Sequence, residues 1–272
     1  MSKISVVTLV KGRKKALQNL IKGLTGGSKL PDELLIVFIN ELPYQINNTD
    51  FPIHSIHFTD TNNIPLAKAR NEGVKHASFD KLIFLDVDCV PAKDLVKIYA
   101  DIIDNAALIS GAIRYLPEHA CEQPDWLNKM EVLSNPDPIR ANINEPGYEL
   151  FWSLNFGCSK TVFNKIGGFN QQYEGYGAED TDFSFRARAT GIPLVTINAT
   201  AYHQYHDSYY PPLNHFNDII KNARLFYKIW NHWPMEGWLR LFVNTGLIHW
   251  GNDIQIIRQP TKHEINNAIK IN

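Results

Sequence analysis

The chain has 272 residues, of which 44% are hydrophobic and 11% aromatic, ample material for a large core and too much for a disordered segment. Its 27 basic and 28 acidic side chains leave a net charge of −1, which argues against general nucleic-acid binding. Three cysteines, Cys89, Cys121 and Cys158, form no C-x-x-C pair; this argues against a disulfide framework or a thiolate zinc site and suits a reducing, cytoplasmic setting.

In chain order, Ile4–Val10 is a β-branched run that leads straight into Lys11, Gly12 and Arg13, and reads as a buried first strand rather than a signal peptide. Ala16, Leu17, Leu20, Ile21 and Leu24 recur at helical spacing before Gly26 and Gly27. Leu34–Ile39 is a second buried strand, Leu66 to Val74 a helix, Lys81–Asp86 a strand ending in acid, and Ala92–Asp104 another helix. This alternation predicts an α/β domain built on a mostly parallel central sheet with helices on both faces. Residues 114–150 then carry five of the fifteen prolines and Trp126, and read as a long irregular connection forming a wall of the site. Beyond it come a short helix closed by Gly167 and Gly168, a glycine-rich turn and a helix from Glu179 to about Thr190. The strand Pro193–Ile197, a histidine-rich loop and a long helix around Phe216–Tyr227 follow. One domain in two halves results: residues 1–115, a connection over residues 116–150, and residues 151–272. The apolar stretch Trp238–Trp250, broken by Arg240 and Asn244, is too short to cross a membrane but suited to peripheral contact with its surface.

Three segments carry chemistry. L-I-F-L-D-V-D (Leu82–Asp88) ends a hydrophobic strand in two carboxylates, at the carboxyl edge where open α/β sheets bind ligands. Carboxylates that also face phosphates suit a hard divalent cation with open positions. D-x-D arises on the order of once by chance in such a chain, and Asp180-Thr181-Asp182 is a second instance; only the first ends a strand. The segment from Gly167 to Asp182 combines glycines, two tyrosines and three acids at a helix start, more than a helix cap requires. His203 and His206 fall within four residues, spaced for a metal ligand and a phosphate contact.

Together these segments resemble the inverting GT-A glycosyltransferases of family 2 and the related β-1,4-galactosyltransferase catalytic region. The motifs are D-V-D, N-F-G-C-S, G-G-F, G-Y-G-A-E-D-T-D-F and A-Y-H-Q, the last similar to bacterial chondroitin and hyaluronan polymerase modules. The resemblance implies a GT-A (Rossmann-like) fold and metal-dependent transfer from a nucleotide-sugar, most of all a UDP-sugar, to a hydroxyl of a glycan. It implies that Asp86, Asp88 and His203 hold Mn²⁺ (or Mg²⁺), that Asp180 is the catalytic base, and that Glu179 and Tyr176 hold the acceptor. Tyr176 stands where galactosyltransferases carry Trp. Thr8, Arg13, Arg70, Asn71 and His206 are implied to contact the donor, with Asp86 also facing its diphosphate. Asn40-Glu41 replaces the Asp that many members carry after the second strand. The alternatives are a retaining transferase of the same fold and a catalytically silent glycan- or nucleotide-binding protein; a nucleotidyltransferase is disfavoured because the N-terminus lacks a glycine-rich basic loop.

Overall fold

The computed structural model describes residues 3–46, 50–61, 64–104, 106–143 and 145–270. The first two apolar runs become adjacent parallel strands, β1 (Ile4–Val10) and β2 (Glu33–Ile39), every residue of which is buried. Alternate side chains go to opposite faces. Val6, Val10, Leu34, Ile36 and Phe38 pack against Leu17, Leu20 and Leu24 of α1 (Lys14–Thr25). On the other face Val7 and Leu35 meet Ala67 and Val74 of α2 (Leu66–His76). Each such side chain, moved fully out of water, contributes about 1.5–3 kcal/mol.

β3 (Ile53–Phe58), unrecognised in the sequence, pairs outside β2; only half of its side chains are shielded, so it lacks the continuous apolar signature. β4 (Lys81–Leu85) pairs on the opposite side of β1. The chain thus winds outward in one direction through β2 and β3, then returns to the other side of β1. That reversal opens a crevice beyond the carboxyl ends of β1 and β4, the position at which doubly wound sheets bind ligands.

β5 (Cys89–Pro91), α3 (Leu95–Ile102) and β6 (Leu108–Tyr115) complete the first half. The proline-rich connection is less irregular than expected: it contains α4 (Trp126–Leu133) and the two-residue β7 (Asn135–Pro136). Trp126 is 8% exposed and packs with Val90, Leu116, Met130 and Tyr202, so it is a core residue and not a wall of the site. β8 (Asn155–Ser159), α5 (Lys160–Ile166), α6 (Glu179–Ala189) and β9 (Leu194–His203) follow, then α7 (Phe216–Trp230) and α8 (Glu236–Asn244).

The nine-stranded sheet runs β3-β2-β1-β4-β8-β6-β9-β5, with β7 attached to β6. β8 is antiparallel to both neighbours, and β5 and β7 are antiparallel to theirs; the remaining strands run in one direction. A bulge between Gly111 and Ile113 distorts β6. Asn155, from N-F-G-C-S, satisfies the backbone there: its Nδ2 donates to the carbonyls of Ala112 (3.0 Å) and Ala199 (2.8 Å), and its Oδ1 accepts from the Tyr99 hydroxyl (3.0 Å).

Most of the apolar Trp238–Trp250 stretch is spent on core. Leu239, Phe242, Leu247 and Ile248 are buried against Phe216, Ile219 and Ile220 of α7. No helix among the described residues is long and apolar enough to cross a membrane. The three cysteines are free, with Cys89 and Cys158 buried.

Candidate active site

β9 is longer than its sequence signal, because exposed polar positions interrupt the apolar run after Ile197. Its extension places His203 at a strand end rather than in a loop, paired with Cys89 of β5. The ladder continues with Gln204 N–H donating to the Asp88 carbonyl at 2.7 Å. Gln204 is buried and anchors this segment to α1: its Oε1 accepts from Asn19 (2.7 Å) and its Nε2 donates to the Ala16 carbonyl (3.2 Å). The glutamine of A-Y-H-Q therefore fixes the histidines relative to the switch crevice.

Asp88, His203 and His206 converge, with ligand atoms all within 4.8 Å of one another. Asp88 Oδ1 lies 3.5 Å from His203 Nε2, and Oδ2 lies 3.5 Å from His206 Nε2. His206 Nδ1 is 2.8 Å from the Asp207 carbonyl. A carbonyl only accepts, so that nitrogen carries the proton, and in neutral imidazole Nε2 presents a lone pair to the Asp88 carboxylate. Two acceptors facing each other are stabilised by a cation between them. Around an octahedral ion with bonds of about 2.1 Å, neighbouring ligand atoms sit roughly 3 Å apart, about half an ångström less than the two Asp88–histidine separations of 3.5 Å. Burial holds the His203 pKa down against the pull of Asp88, which favours the neutral, ligating imidazole. The donor set fits a divalent metal.

His206, expected to meet the donor, thus joins the cluster, whereas Asp86 stands outside it. Asp86 Oδ1 lies 3.4 Å from Arg70 Nη2, and Arg70 Nη1 donates to Glu179 Oε1 at 3.1 Å. Arg70 is 4% exposed and lies over the Phe169 ring at 5.1 Å. Instead of an open donor contact, it is a buried bridge between the two acidic segments. Asn71 is also occupied: its Oδ1 accepts from the Phe169 N–H and its Nδ2 donates to the Phe169 carbonyl, both at 2.8 Å. Both ends of its amide therefore hold the G-G-F turn. Thr8 is enclosed within the sheet, and its hydroxyl has no partner. Arg13, by contrast, lies at the crevice, 3.4 Å from Asp88 Oδ2. A cavity of about 250 Å³ opens there between Gly12, Arg13, Lys14, Asp88, Gln204 and Tyr205. A larger groove of about 750 Å³ follows α1 past Ile21, Tyr44 and Leu127, and none of the site carboxylates lines it.

The acidic helix start sorts into distinct duties. Asp182 is fully buried: it accepts from Arg186 Nε (2.8 Å), Trp230 Nε1 (2.9 Å) and the Tyr173 hydroxyl (3.4 Å), and is structural. Asp180 is half-buried, its Oδ1 accepting from the Thr181 N–H at 2.8 Å. Desolvation, then repulsion from Glu179, pushes its pKa up to about 7 against the opposing pull of Arg70. Burial and the neighbouring Asp88 raise Asp86 to about 6, with Arg70 again opposing. Tyr176 stacks on His215 at 4.5 Å between ring centroids, with Trp238 at 5.8 Å. His215 carried no sequence signal, being a lone histidine beside a proline turn.

Residues 5–167 match the family described as glycosyl transferase family 2, and residues 140–207 the one described as the N-terminal domain of galactosyltransferase. The chain belongs to glycosyl transferase family 2. It is 26% identical over 170 residues to chondroitin synthase of Pasteurella multocida, covering 51% of this chain and 18% of that protein. It is 39% identical over 156 residues to validoxylamine A glucosyltransferase of Streptomyces hygroscopicus, covering 48% of this chain and 36% of that one. The chain thus aligns with well under half the length of either relative. Among solved structures, S. aureus TarS in complex with UDP superimposes with a TM-score of 0.56 at 16% identity, covering 83% of this chain and 65% of that one. The catalytic domain of Drosophila β1,4-galactosyltransferase 7 with xylobiose gives 0.51 at 16%, covering 76% and 72%. The fold is that of the GT-A glycosyltransferases.

Proposed function

We propose that this chain catalyses inverting transfer of a sugar from a UDP-sugar to a glycan hydroxyl, with a divalent metal held by Asp88, His203 and His206. One observation carries the reading: the metal-competent cluster and a carboxylate of near-neutral pKa flank one ion-paired bridge, in which Arg70 joins Asp86, two residues before Asp88, to Glu179, the neighbour of Asp180. When bound, the ion supplies positive charge to the diphosphate leaving group. Two imidazoles beside one carboxylate favour a transition ion such as Mn²⁺ over Mg²⁺, which prefers oxygen.

Asp180 takes the proton of the acceptor hydroxyl as its oxygen bonds to the anomeric carbon and the bond from that carbon to the diphosphate oxygen breaks. A base of this kind contributes roughly 10²–10⁴-fold. Arg70 fixes Glu179 next to Asp180, and the carboxylate so held orients an acceptor hydroxyl. The Tyr176–His215 stack offers the acceptor sugar a flat face, and Arg13 adds positive charge beside Asp88 for the donor. Similarity to chondroitin synthase and to a glucosyltransferase supports a carbohydrate acceptor.

The test is a screen of UDP-sugars with Mn²⁺, reading UDP release with and without glycan acceptors, followed by proton NMR of the product. An inverted anomeric coupling is expected. Retention would refute the role of Asp180, and absence of transfer with every UDP-sugar would refute the proposed activity.

A further inference from the structure

The turn from Glu174 to Ala178 delivers Tyr176 and leads directly into Glu179 and Asp180, and its backbone enters a region that side-chain-bearing residues rarely adopt. Gly175, Gly177 and Ala178 all lie in the left-handed region, at φ of +75°, +99° and +70°. Ala178 is a costly residue there and nearly fully buried, so the turn must be held from outside. A Cβ on Gly175 would come within 2.3 Å of the Asp218 carboxylate, and one on Gly177 within 2.7 Å of Met235 Sδ. The turn is therefore seated against α7 and the residue preceding α8. Residues 208–272, which contain both helices, lie outside the segments matched by the two families.

The grip centres on Asn222 of α7, which is completely buried. Its Nδ2 donates to the carbonyls of Glu174 (3.0 Å), Tyr176 (3.3 Å) and Gly177 (3.0 Å), two protons shared among three acceptors. Its Oδ1 is buried with no partner. An orphaned acceptor costs stability, and Asn222 sits between Ile219 and Phe226 on the apolar face, where a hydrophobic side chain would carry no such penalty. Its neighbour Lys221 pairs with Glu174, reinforcing the same turn.

We propose that Asn222 is a positioning residue for transfer: it clamps the 174–178 turn so that Tyr176 and Asp180 stand in register with the acceptor, and it plays no part in holding the donor. The proposal rests on Asp180 acting as base. Asn222→Leu removes the donors while keeping the number and branching of the side-chain heavy atoms, and Asn222→Ser keeps one hydroxyl donor. For Asn222→Leu, kcat/KM for the acceptor should fall about 10- to 100-fold, the scale of a small misplacement of reacting groups. UDP affinity in Mn²⁺ should stay within about twofold; loss of the unpaired Oδ1 offsets part of the cost of leaving the three turn carbonyls unpaired, so the melting temperature should fall only modestly. Asn222→Ser should fall between Asn222→Leu and the wild type in acceptor kcat/KM.

Hydrogen exchange provides a readout independent of activity: amides of residues 174–178 should exchange at least about tenfold faster in Asn222→Leu, with α7 unchanged. Wild-type transfer rates in Asn222→Leu, or equal losses of UDP affinity, melting temperature and turnover, would overturn the proposal. If the wild-type protein transferred no sugar, the proposed function would fail separately. The clamp would then stand on selective exposure of 174–178 and fall if their exchange were unchanged.

Discussion

Replacing Arg70 by methionine removes its charge while keeping much of its length over Phe169. Arg70 and Glu179 are 4% and 7% exposed at the side chain, and Asp86 is 30% exposed. The pair with Glu179 is therefore buried, whereas the one with Asp86 is partly screened by water. Breaking a buried pair from one side costs about 3–5 kcal/mol. Taking about 3 kcal/mol for the Glu179 side alone, a domain of this size should lose roughly 6–12 °C of melting temperature near neutral pH. The pH dependence distinguishes charge from packing. Asp86 already sits at about 6 with Arg70 opposing the rise; without the guanidinium, Asp86 moves further upward, away from its unfolded value of roughly 4. A carboxyl whose folded pKa is raised destabilises the fold once ionised, and this penalty vanishes below the unfolded pKa. The melting deficit of Arg70→Met should therefore be largest near pH 8 and shrink as pH falls toward 5, measured by calorimetric scans across that range. A deficit equal at every pH would refute the charge bridge and leave only packing on Phe169.

Asp180→Asn should reduce transfer by about 10²–10⁴-fold while UDP affinity, measured by calorimetry, stays within a few-fold. Because the base must be ionised and its pKa is raised to about 7, kcat should climb with pH below neutrality and level off above it; a flat profile from pH 5 to 8 would remove Asp180 from the rate-determining step. EDTA should abolish transfer and Mn²⁺ restore it better than Mg²⁺, as followed by UDP release. Asp88→Ala, His203→Ala and His206→Ala should each raise the Mn²⁺ concentration needed for half-maximal rate, by about tenfold or more; an unchanged titration in His206→Ala would exclude it from the ligand set.

The layered core was legible because Ile4–Val10, Leu34–Ile39 and Leu82–Leu85 are continuous apolar runs, which a sheet covered on both faces requires. β3 and the far end of β9 were not, since half-exposed strands mix polar and apolar positions without a strict period. The residues of the site were visible as chemical types, but their partners depended on geometry. D-V-D shows two carboxylates, and only the β5–β9 pairing turns Asp88 toward the histidines while Asp86 meets Arg70. Arg70 and Asn71 stood out as a pair, yet one bridges acids and the other holds the Phe169 backbone. Asn222 did leave a trace, a polar side chain within the apolar stripe of Ile219, Ala223 and Phe226.

The sheet order has a mechanical corollary. β8, from residues 155–159, is inserted between β4 and β6 of the first half, and β5 of the first half closes the edge of β9 from the second. The two halves are interlaced through backbone hydrogen bonds, with no seam about which one lobe could swing against the other. A protease cut between α4 and β8 would leave both pieces joined. Clamshell closure, the usual way for a two-lobed enzyme to shut out water, is denied to this architecture. Under the proposed transfer, shielding of the reacting groups would fall to the short turns at the carboxyl edge, which the rigid sheet carries as a fixed platform.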